Sequence, residues 1–320
     1  MTRFDRFMEA ALFHPEKGYY TNRISSVGTR GDFTTTPQLS PLLAKAIAKQ
    51  FRESGFKNLV EIGPGTGRLA QSVWNELSFL QRRKTNLHLV EVSSPLQALQ
   101  KKVLPKASHH QTIQSALAQI SGQAFIYSNE LVDAFPVRIF RKEALDWSEF
   151  FLSGSYPSLK EDWQPTDLLP SSQLFRAPFI SPGQRIEVHE SYSQWLAKWV
   201  PEFSGQLLTI DYTAPQPPPR HGTLRGYFRH DRLTGNNLYQ NAGHIDLTAD
   251  VCFDDLENWG QELGLNTRLR QSQRDFLLPL STESQRDQFL TDPEGAGGAF
   301  EVLLQESSPS TKEHAHANSL

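Results

Sequence analysis

The sequence predicts an α/β protein with a doubly wound, mainly parallel sheet, and three observations favour this fold. Short apolar runs alternate with amphipathic helical segments between residues 57 and 136, a pattern typical of parallel sheets covered by helices on both faces. Closely spaced glycines follow the first apolar run, and an acidic residue ends the second. The length of 320 residues leaves room for further segments around one large core.

The predicted elements follow in order along the chain. An amphipathic helix begins near Phe4 and stops before His14-Pro15, and a second helix covers residues 41–51. The alternating region then contains three strands, one weak strand and two helices. Its strands are predicted at residues 58–62, 87–92 and 124–128, its weak strand near Thr112-Ile113, and its helices at residues 67–80 and from Ser94 onward.

Beyond residue 136 the pattern becomes less regular. Two β-rich segments and a Pro/Ser-rich stretch predict an inserted lobe, and a later proline cluster indicates a long surface loop at residues 213–245. Sheet character resumes at residues 185–188 and continues in strands predicted at 206–212, 267–269 and 300–305. We divide the chain into a helical extension (1–56), a core (57–136 and 185–305), an inserted substrate lobe (137–184) and a polar tail expected to be disordered (306–320).

Composition excludes several classes of protein. The 32 Lys and Arg residues against 35 Asp and Glu give a net charge of −3, which argues against a general nucleic-acid-binding surface. A single cysteine, Cys252, excludes an internal disulfide and a cysteine-based zinc site. No apolar run approaches the roughly 18 residues of a membrane span, and the start of the chain lacks a signal-peptide pattern. A cytoplasmic location without membrane insertion is expected.

The most informative motif is the glycine loop that follows the first predicted strand. Gly63, Gly65 and Gly67 are spaced G-x-G-x-G, so the backbone can turn tightly and a ligand can lie against it beside a helix N-terminus. The loop has no Gly-Lys-Ser/Thr of a P-loop and departs from the G-x-G-x-x-G of dinucleotide enzymes. Glu61 precedes it, and a carboxylate there would repel a pyrophosphate but accept a hydrogen bond from a ligand amine.

A second acid strengthens the prediction of a nucleoside site. Glu91 ends the next predicted strand, where a carboxylate accepts hydrogen bonds from ribose hydroxyls. The order strand, glycine loop, helix, strand, acid is more specific than the glycines alone. The alternative is a purely structural glycine turn with a solvent-facing glutamate.

These residues resemble class I S-adenosylmethionine-dependent methyltransferases, and further motifs resemble the MidA/DUF185 family over nearly the whole chain. The motifs are Phe7-Met8 with Leu12-Phe13-His14-Pro15-Glu16-Lys17-Gly18-Tyr19-Tyr20, Gly31-Asp32-Phe33, Asn129-Glu130-Leu131-Val132-Asp133, Ile210-Asp211-Tyr212 and Asp246-Leu247-Thr248. The sequence departs from the family at Thr213, where relatives commonly have glycine, and at Arg68, where many have a small hydroxyl residue. Neither change involves the glycines or the acids, so these departures concern the choice of substrate more than the binding of the cofactor.

The resemblance implies a Rossmann-like, seven-stranded, mostly parallel sheet with a reversed last strand, and S-adenosyl-L-methionine as cofactor. A mitochondrial relative in this family is a protein-arginine methyltransferase that assists assembly of respiratory complex I. The expected function is therefore methylation of a protein substrate, foremost at arginine. A respiratory-complex subunit as substrate, and a homodimer, are compatible with the resemblance; no nucleic acid, metal or covalent intermediate is required.

Candidate acceptor-site residues follow the third strong strand of the alternation. Asn129, Glu130 and Asp133 lie where the acceptor would meet the cofactor. Arginine is always protonated, so its methylation needs carboxylates that hold the guanidinium and orient one nitrogen. In the alternative interpretation, Glu130 or Asp133 only caps the short helix that follows.

Further acids are assigned less specifically. Asp32 is expected to close the cofactor pocket, with a turn-stabilising role as the alternative. Asp211 either contacts substrate or anchors a loop, and Glu149, Glu187 and Glu190 are secondary candidates for the acceptor site. Two other functions remain open: methylation of a small molecule or another side chain, and a non-catalytic cofactor-binding assembly factor.

Overall fold

A computed structural model of the protein describes residues 1–23, 41–156, 158–228, 231–282 and 284–307. Asp32 and the residues after 307 lie outside these ranges, so the predictions for Asp32 and for residues 308–320 of the tail are not addressed. The predicted start of the tail at residue 306 is wrong, because Glu306 and Ser307 are hydrogen-bonded at the end of the last described strand. Strands and helices are numbered in chain order. The strands are β1 (Thr2–Arg3), β2 (Asn58–Ile62), β3 (Asn86–Val90), β4 (Ser108–His110), β5 (Gln123–Asn129), β6 (Arg138–Lys142), β7 (Trp147–Ser153), β8 (Lys160–Thr166), β9 (Arg185–Val188), β10 (Ser204–Tyr212), β11 (Arg225–Phe228), β12 (Asp231–Leu233), β13 (Asp246–Thr248), β14 (Leu265–Ser272) and β15 (Phe300–Ser307).

The helices of the described chain vary from one to more than three turns. They are α1 (Phe4–Phe13), α2 (Leu42–Ser54), α3 (Arg68–Asn75), α4 (Phe79–Arg82), α5 (Ser94–Val103), α6 (Ile113–Gln119), α7 (Glu190–Leu196), α8 (Asn237–Gln240), α9 (Phe253–Glu262), α10 (Gln273–Leu277), α11 (Gln285–Thr291) and α12 (Ala296–Ala299). No helix among the described residues is long and apolar enough to cross a bilayer.

Seven strands form the main sheet, in the order β14-β15-β10-β5-β2-β3-β4. The four pairings from β10 to β4 are parallel, whereas β15 is antiparallel to both of its neighbours. The sheet is therefore mixed, with one reversed strand that is also the last strand of the described residues.

Helices cover both faces of this sheet. In β5, Phe125 and Tyr127 pack with α2 and α3, whereas Ala124 and Ile126 pack with α6 and α9. Successive side chains of a strand point to opposite faces, so this division produces the two buried layers of a doubly wound sheet.

A second, antiparallel sheet forms beside the first. Its strand order is β1-β7-β6-β9, and β8 is additionally hydrogen-bonded to β7 in antiparallel orientation. Helix α1 packs Phe4, Met8 and Leu12 against Phe150 of this sheet, together with Leu247 from β13. The N-terminal segment and the predicted lobe therefore share one core.

Several local predictions differ from the structure. Thr112 is not in a strand, because its hydroxyl accepts a hydrogen bond from the Ser115 N–H at 3.2 Å and caps α6; the strand is β4. The helix predicted at residues 67–80 is divided, because Ser78 and Gln81 form a capping box that begins α4. The sequence assigned residues 185–188 to the core, but β9 is hydrogen-bonded to β6 in the second sheet.

The segment predicted as a long surface loop, residues 213–245, also contains regular structure. Strands β11 and β12 and helix α8 lie within it, and β11 pairs with β13. Strand β8 was missed as well, because its residues are mostly half-buried and show no alternation of exposure. Of these strands, β11 adds a wall next to the carboxyl ends of the main strands, together with β13.

Candidate active site

The glycine loop connects β2 to α3 and has left-handed backbone conformations at all three glycines. Their φ angles are +68° at Gly63, +53° at Gly65 and +81° at Gly67. Residues other than glycine rarely adopt such backbone angles. A Cβ at Gly65 would have no neighbour within 4 Å, so the backbone there faces open space. Gly63 is fixed to the next strand, because its N–H donates to the Val90 carbonyl at 3.0 Å.

Glu61 lies at the end of β2 and is buried, with 2% of its surface exposed. Its Oε2 accepts a hydrogen bond from the Tyr127 hydroxyl of β5 at 2.9 Å. Burial raises the pKa of Glu61 to about 8, although the Tyr127 hydrogen bond opposes the shift. A buried carboxyl group is therefore mostly neutral at pH 7 when it is alone, and a cation beside it favours the charged carboxylate.

Glu91 follows β3 and lies close to the loop. Its Oε1 accepts a hydrogen bond from the Ser93 N–H at 2.9 Å, and burial raises its pKa to about 7. Gln100 of α5 donates from its amide to the Gly65 carbonyl at 2.7 Å. The glycine loop is therefore tied to the helix that follows Glu91.

The predicted residues of both halves meet in one cavity of about 1100 Å³. The predicted members of its lining are Glu61, Gly63, Gly65, Glu91, Asn129, Glu130 and Asp133. Gly67 is not part of this lining; it is the N-cap residue directly before α3. The site lies at the carboxyl ends of β2, β3 and β5, where ligands of open α/β sheets bind.

Asn129 and Glu130 form a sharp exit from β5. Glu130 has a φ of +52°, an uncommon conformation for a residue with a side chain. The Asn129 amide donates to Glu130 Oε1 at 3.0 Å. The Asn129 Oδ1 is buried and has no hydrogen-bond partner within the described chain, which suits a site that a ligand donor completes.

Asp133 lies in the short 3₁₀ turn Val132–Ala134. Its Oδ2 accepts a hydrogen bond from the Thr248 hydroxyl of β13 at 2.6 Å, and burial raises its pKa. Asp211 of β10 holds the turn from below, because its Oδ2 accepts the N–H groups of Leu131 and Val132 at 3.0 and 2.7 Å. Asp211 therefore anchors the loop, and it supplies the cap that the alternative interpretation gave to Glu130 or Asp133.

The secondary candidates are already engaged with other groups. Arg138 of β6 binds both carboxylate oxygens of Glu149, at 2.7 and 2.8 Å, and one oxygen of Glu190 at 3.1 Å. Glu187 accepts hydrogen bonds from the Thr223 N–H and is not part of the cavity lining. Glu187 is thus a structural residue and not an acceptor-site residue.

Sequence reasoning missed three residues that line the acceptor end. Asp246 is buried and accepts a hydrogen bond from the Tyr20 hydroxyl at 2.7 Å. Arg225 of β11 also lines the cavity and pairs with Asp250 at 2.5 Å. Asp246 and Tyr20 each belong to a motif that carried the family resemblance, so the sequence contained a signal for both, although neither was assigned to the site; Arg225 belongs to no such motif.

The described part of the chain holds no cluster of three or more His, Cys, Asp or Glu residues suited to a metal. The donor set instead fits S-adenosylmethionine. Carboxylates at Glu61 and Glu91 suit its amine and ribose hydroxyls, the Gly65 backbone leaves space for it, and the unpartnered Asn129 oxygen can accept from it.

Comparison with known proteins gives the same cofactor. Residues 42–270 match a family described as "Putative S-adenosyl-L-methionine-dependent methyltransferase". A crystal structure from Burkholderia thailandensis, bound to S-adenosyl-homocysteine, has a TM-score of 0.82 and 25% identity, and the match covers 95% of this chain and 87% of that one. A native crystal structure of a protein from the same organism has the same fold. It is 24% identical, with a TM-score of 0.78, and the match covers 95% of this chain and 87% of that one.

Curated relatives are more specific in name. Protein arginine methyltransferase NDUFAF7 of Rattus norvegicus is 27% identical over 80% of this chain and 65% of its own length. The protein of the same name from Mus musculus is 27% identical over 93% of this chain and 74% of its own length. The chain thus spans just under two thirds of the rat protein. The predicted cytoplasmic location is wrong by this comparison, because both relatives are named as mitochondrial.

Proposed function

This chain belongs to the S-adenosyl-L-methionine-dependent methyltransferases matched by residues 42–270, and from that premise we propose that its acceptor is an arginine side chain of a protein. The observation that carries the proposal is the acidic turn after β5. Glu130 and Asp133 line the same cavity as the glycine loop, and a guanidinium needs carboxylates of this kind to bind and orient it. The names of the curated relatives support the same acceptor.

The residues of the chain divide the work between two ends of the cavity. When bound, S-adenosylmethionine supplies a methyl group activated by a sulfonium. Glu61, Glu91 and the backbone of the glycine loop hold the cofactor, and Glu130 with Asp133 holds the acceptor. Asp211 fixes the backbone of the acidic turn, so the two carboxylates are positioned before the acceptor arrives.

The acceptor nitrogen gains a carbon and loses one proton, and the cavity must receive that proton. Asp133 is placed to accept it, because burial raises its pKa and makes the neutral acid less unfavourable. The proton then passes to solvent through the open mouth of the cavity. The product stays cationic, so the same carboxylates continue to balance its charge.

The test is methyl transfer by the full-length chain to peptides that differ only in having arginine, lysine or citrulline at the centre. We expect mass spectrometry to find methyl groups on arginine only. Asp133→Asn should reduce transfer about a hundredfold without loss of S-adenosyl-homocysteine binding. Methylation of lysine, or of a small molecule alone, would replace the proposal by the alternative enzyme functions. Cellular function that survives Glu130→Ala but not Gly65→Val would favour the non-catalytic assembly factor.

Three further features are proposed on the same basis: the division of the chain, a partner protein and an oligomeric state. We propose a class I methyltransferase core at residues 57–136 and 185–305, from which the strand 185–188 is reassigned to the substrate lobe at 137–184, and an N-terminal helical extension at 1–56. A protein partner of a respiratory complex, and a homodimer, remain part of the proposal. Co-purification from cells and sedimentation of the purified chain test these two.

A further inference from the structure

Tyr20 contacts both ends of the cavity. Its hydroxyl donates to Asp246 Oδ1 at 2.7 Å, at the acceptor end. Its backbone carbonyl accepts a hydrogen bond from the Ser93 hydroxyl at 2.7 Å, and the Ser93 N–H donates to Glu91 at 2.9 Å. A residue of the N-terminal segment is thereby held by the cofactor end while it holds a carboxylate at the acceptor end.

Asp246 is surrounded by groups from several elements. Tyr20 faces it from the N-terminal segment, and Arg225 of β11 acts on it as the nearby cation. Glu130 and Asp133, from the turn after β5, act on it as like charges. Asp246 also lies opposite Tyr227 in the pairing of β11 with β13. It lines the cavity and is 8% exposed.

The cavity has more negative than positive charge at this end. Asp133 and Asp246 are both buried, and taking a carboxylate out of water costs several kcal/mol unless a cation or donors compensate. Arg225 offsets only part of this negative charge, because its guanidinium also pairs with Asp250 at 2.5 Å. A cationic ligand would therefore be bound by Asp246 as well as by the two acids already assigned.

We propose that Asp246 is a third carboxylate of the acceptor pocket and contacts the acceptor guanidinium, and that Tyr20 is its positioning residue. The inference rests on the proposed arginine acceptor and deepens it. A guanidinium presents five N–H donors in one plane, whereas an ammonium presents three around a point. Carboxylates from the turn after β5 and from β13 can satisfy more donors of the planar group, which makes the pocket selective for arginine over lysine.

Charge at Asp246 then depends on pH. Burial raises the pKa of Asp246 to about 7, and the Tyr20 hydrogen bond opposes that rise. Below this pH the free protein holds Asp246 as the neutral acid, so a cation binds weakly. Affinity for the cation therefore rises as pH increases through about 7. Without the Tyr20 hydroxyl the pKa is higher still, and the rise moves to higher pH.

The test is calorimetric titration of the full-length chain, saturated with S-adenosyl-homocysteine, with acetyl-arginine amide. Acetyl-citrulline amide, the neutral analogue, is the matched ligand. We expect Asp246→Asn to weaken acetyl-arginine amide binding by about tenfold or more, since a hydrogen bond to a charged group is lost, and to remove the pH dependence near pH 7. Tyr20→Phe should shift the midpoint upward, with affinity recovered at high pH. Asp231→Asn, an exposed acid on β12, should change nothing.

The outcomes separate this inference from the function on which it rests. If the unmodified chain binds acetyl-arginine amide no better than acetyl-citrulline amide, the cationic acceptor itself is wrong. If it prefers acetyl-arginine amide but Asp246→Asn binds with unchanged affinity and pH dependence, the third carboxylate alone is overturned. A Tyr20→Phe chain that loses affinity equally at every pH would show that Tyr20 is only structural. Thermal unfolding of each variant establishes that it is folded.

Discussion

The two ends of the cavity are built in opposite ways. The cofactor end consists of a backbone loop and two acids, each directly at the end of its own strand, so its shape depends on local φ angles and on Glu61 and Glu91. The acceptor end takes side chains from the N-terminal segment, the turn after β5, β11 and β13. The difference implies that the cofactor end depends on backbone shape and on two acids next to it in sequence, while the acceptor end depends on charges brought together from distant parts of the chain.

Loss of one acceptor carboxylate should give the largest effect. Asp133→Asn keeps the size of the side chain and an oxygen for the Thr248 hydroxyl, but removes the charge. We expect methyl transfer to fall about a hundredfold, while the Kd for S-adenosyl-homocysteine stays unchanged. Steady-state kinetics and calorimetry measure the two quantities.

The matched control for this variant is Asp275→Asn. Asp275 also accepts a hydrogen bond from a hydroxyl, that of Ser272 at 2.8 Å, but it is not part of the cavity lining. Its substitution should leave transfer unchanged. Parallel losses of transfer and cofactor binding in Asp133→Asn would mean that the two ends are not separable.

A methyl group in the glycine loop should have the next largest effect. Gly65→Ala and Gly55→Ala each place a side chain at positive φ, +53° and +75°, with nothing within 4 Å. Both should lose about 1 kcal/mol of unfolding free energy, measured by urea denaturation. Only Gly65→Ala should weaken S-adenosyl-homocysteine binding, by about tenfold, because its Cβ points into ligand space. Equal cofactor affinity in the two variants would remove the glycine loop from the site.

The smallest effect is expected from Tyr127→Phe. The Tyr127 hydroxyl lowers a Glu61 pKa that burial has raised to about 8, so its removal raises that pKa further. A raised carboxyl pKa means that Glu61 becomes charged only as pH rises through this value, and affinity for the cationic cofactor rises with it. At neutral pH we expect about threefold to tenfold weaker binding, with recovery at higher pH.

Calorimetric titration with S-adenosylmethionine across this pH range measures the shift. Tyr192→Phe is the control, because Tyr192 is a buried tyrosine with a hydrogen bond to Thr209 and is absent from the cavity lining. An affinity that is independent of pH in the unmodified chain would contradict the role given to Glu61.

The same difference explains which features could be predicted. The glycine loop, Glu61 and Glu91 depend on residues adjacent in sequence, and their placement along strands follows from hydrophobic pattern alone. The Tyr20 to Asp246 contact joins residues 226 positions apart, and no local pattern encodes such a contact. Asp211 was left between two roles for the same reason, since only the fold places it beneath the turn that it holds.

Secondary structure followed the same rule. Strands β2, β3 and β5 were found because they are buried on both faces and therefore mostly apolar. Strand β8 lies at a sheet edge with half-exposed side chains, so its pattern resembles a loop. Side-chain capping at Thr112 and Ser78 was missed because it competes with the apolar period and decides where a helix begins.

The position of β15 has a consequence for how the chain folds. It lies between β10 and β14, hydrogen-bonded to both, yet it follows them in sequence. Until residues 300–307 have been synthesised, β10 and β14 each present an unpaired edge, and such edges pair readily with other chains. Late insertion of β15 between β14 and β10 also requires long loops to close before its contacts form, which slows folding. Nascent chains of this protein therefore depend on β15 to cover these two edges and avoid aggregation.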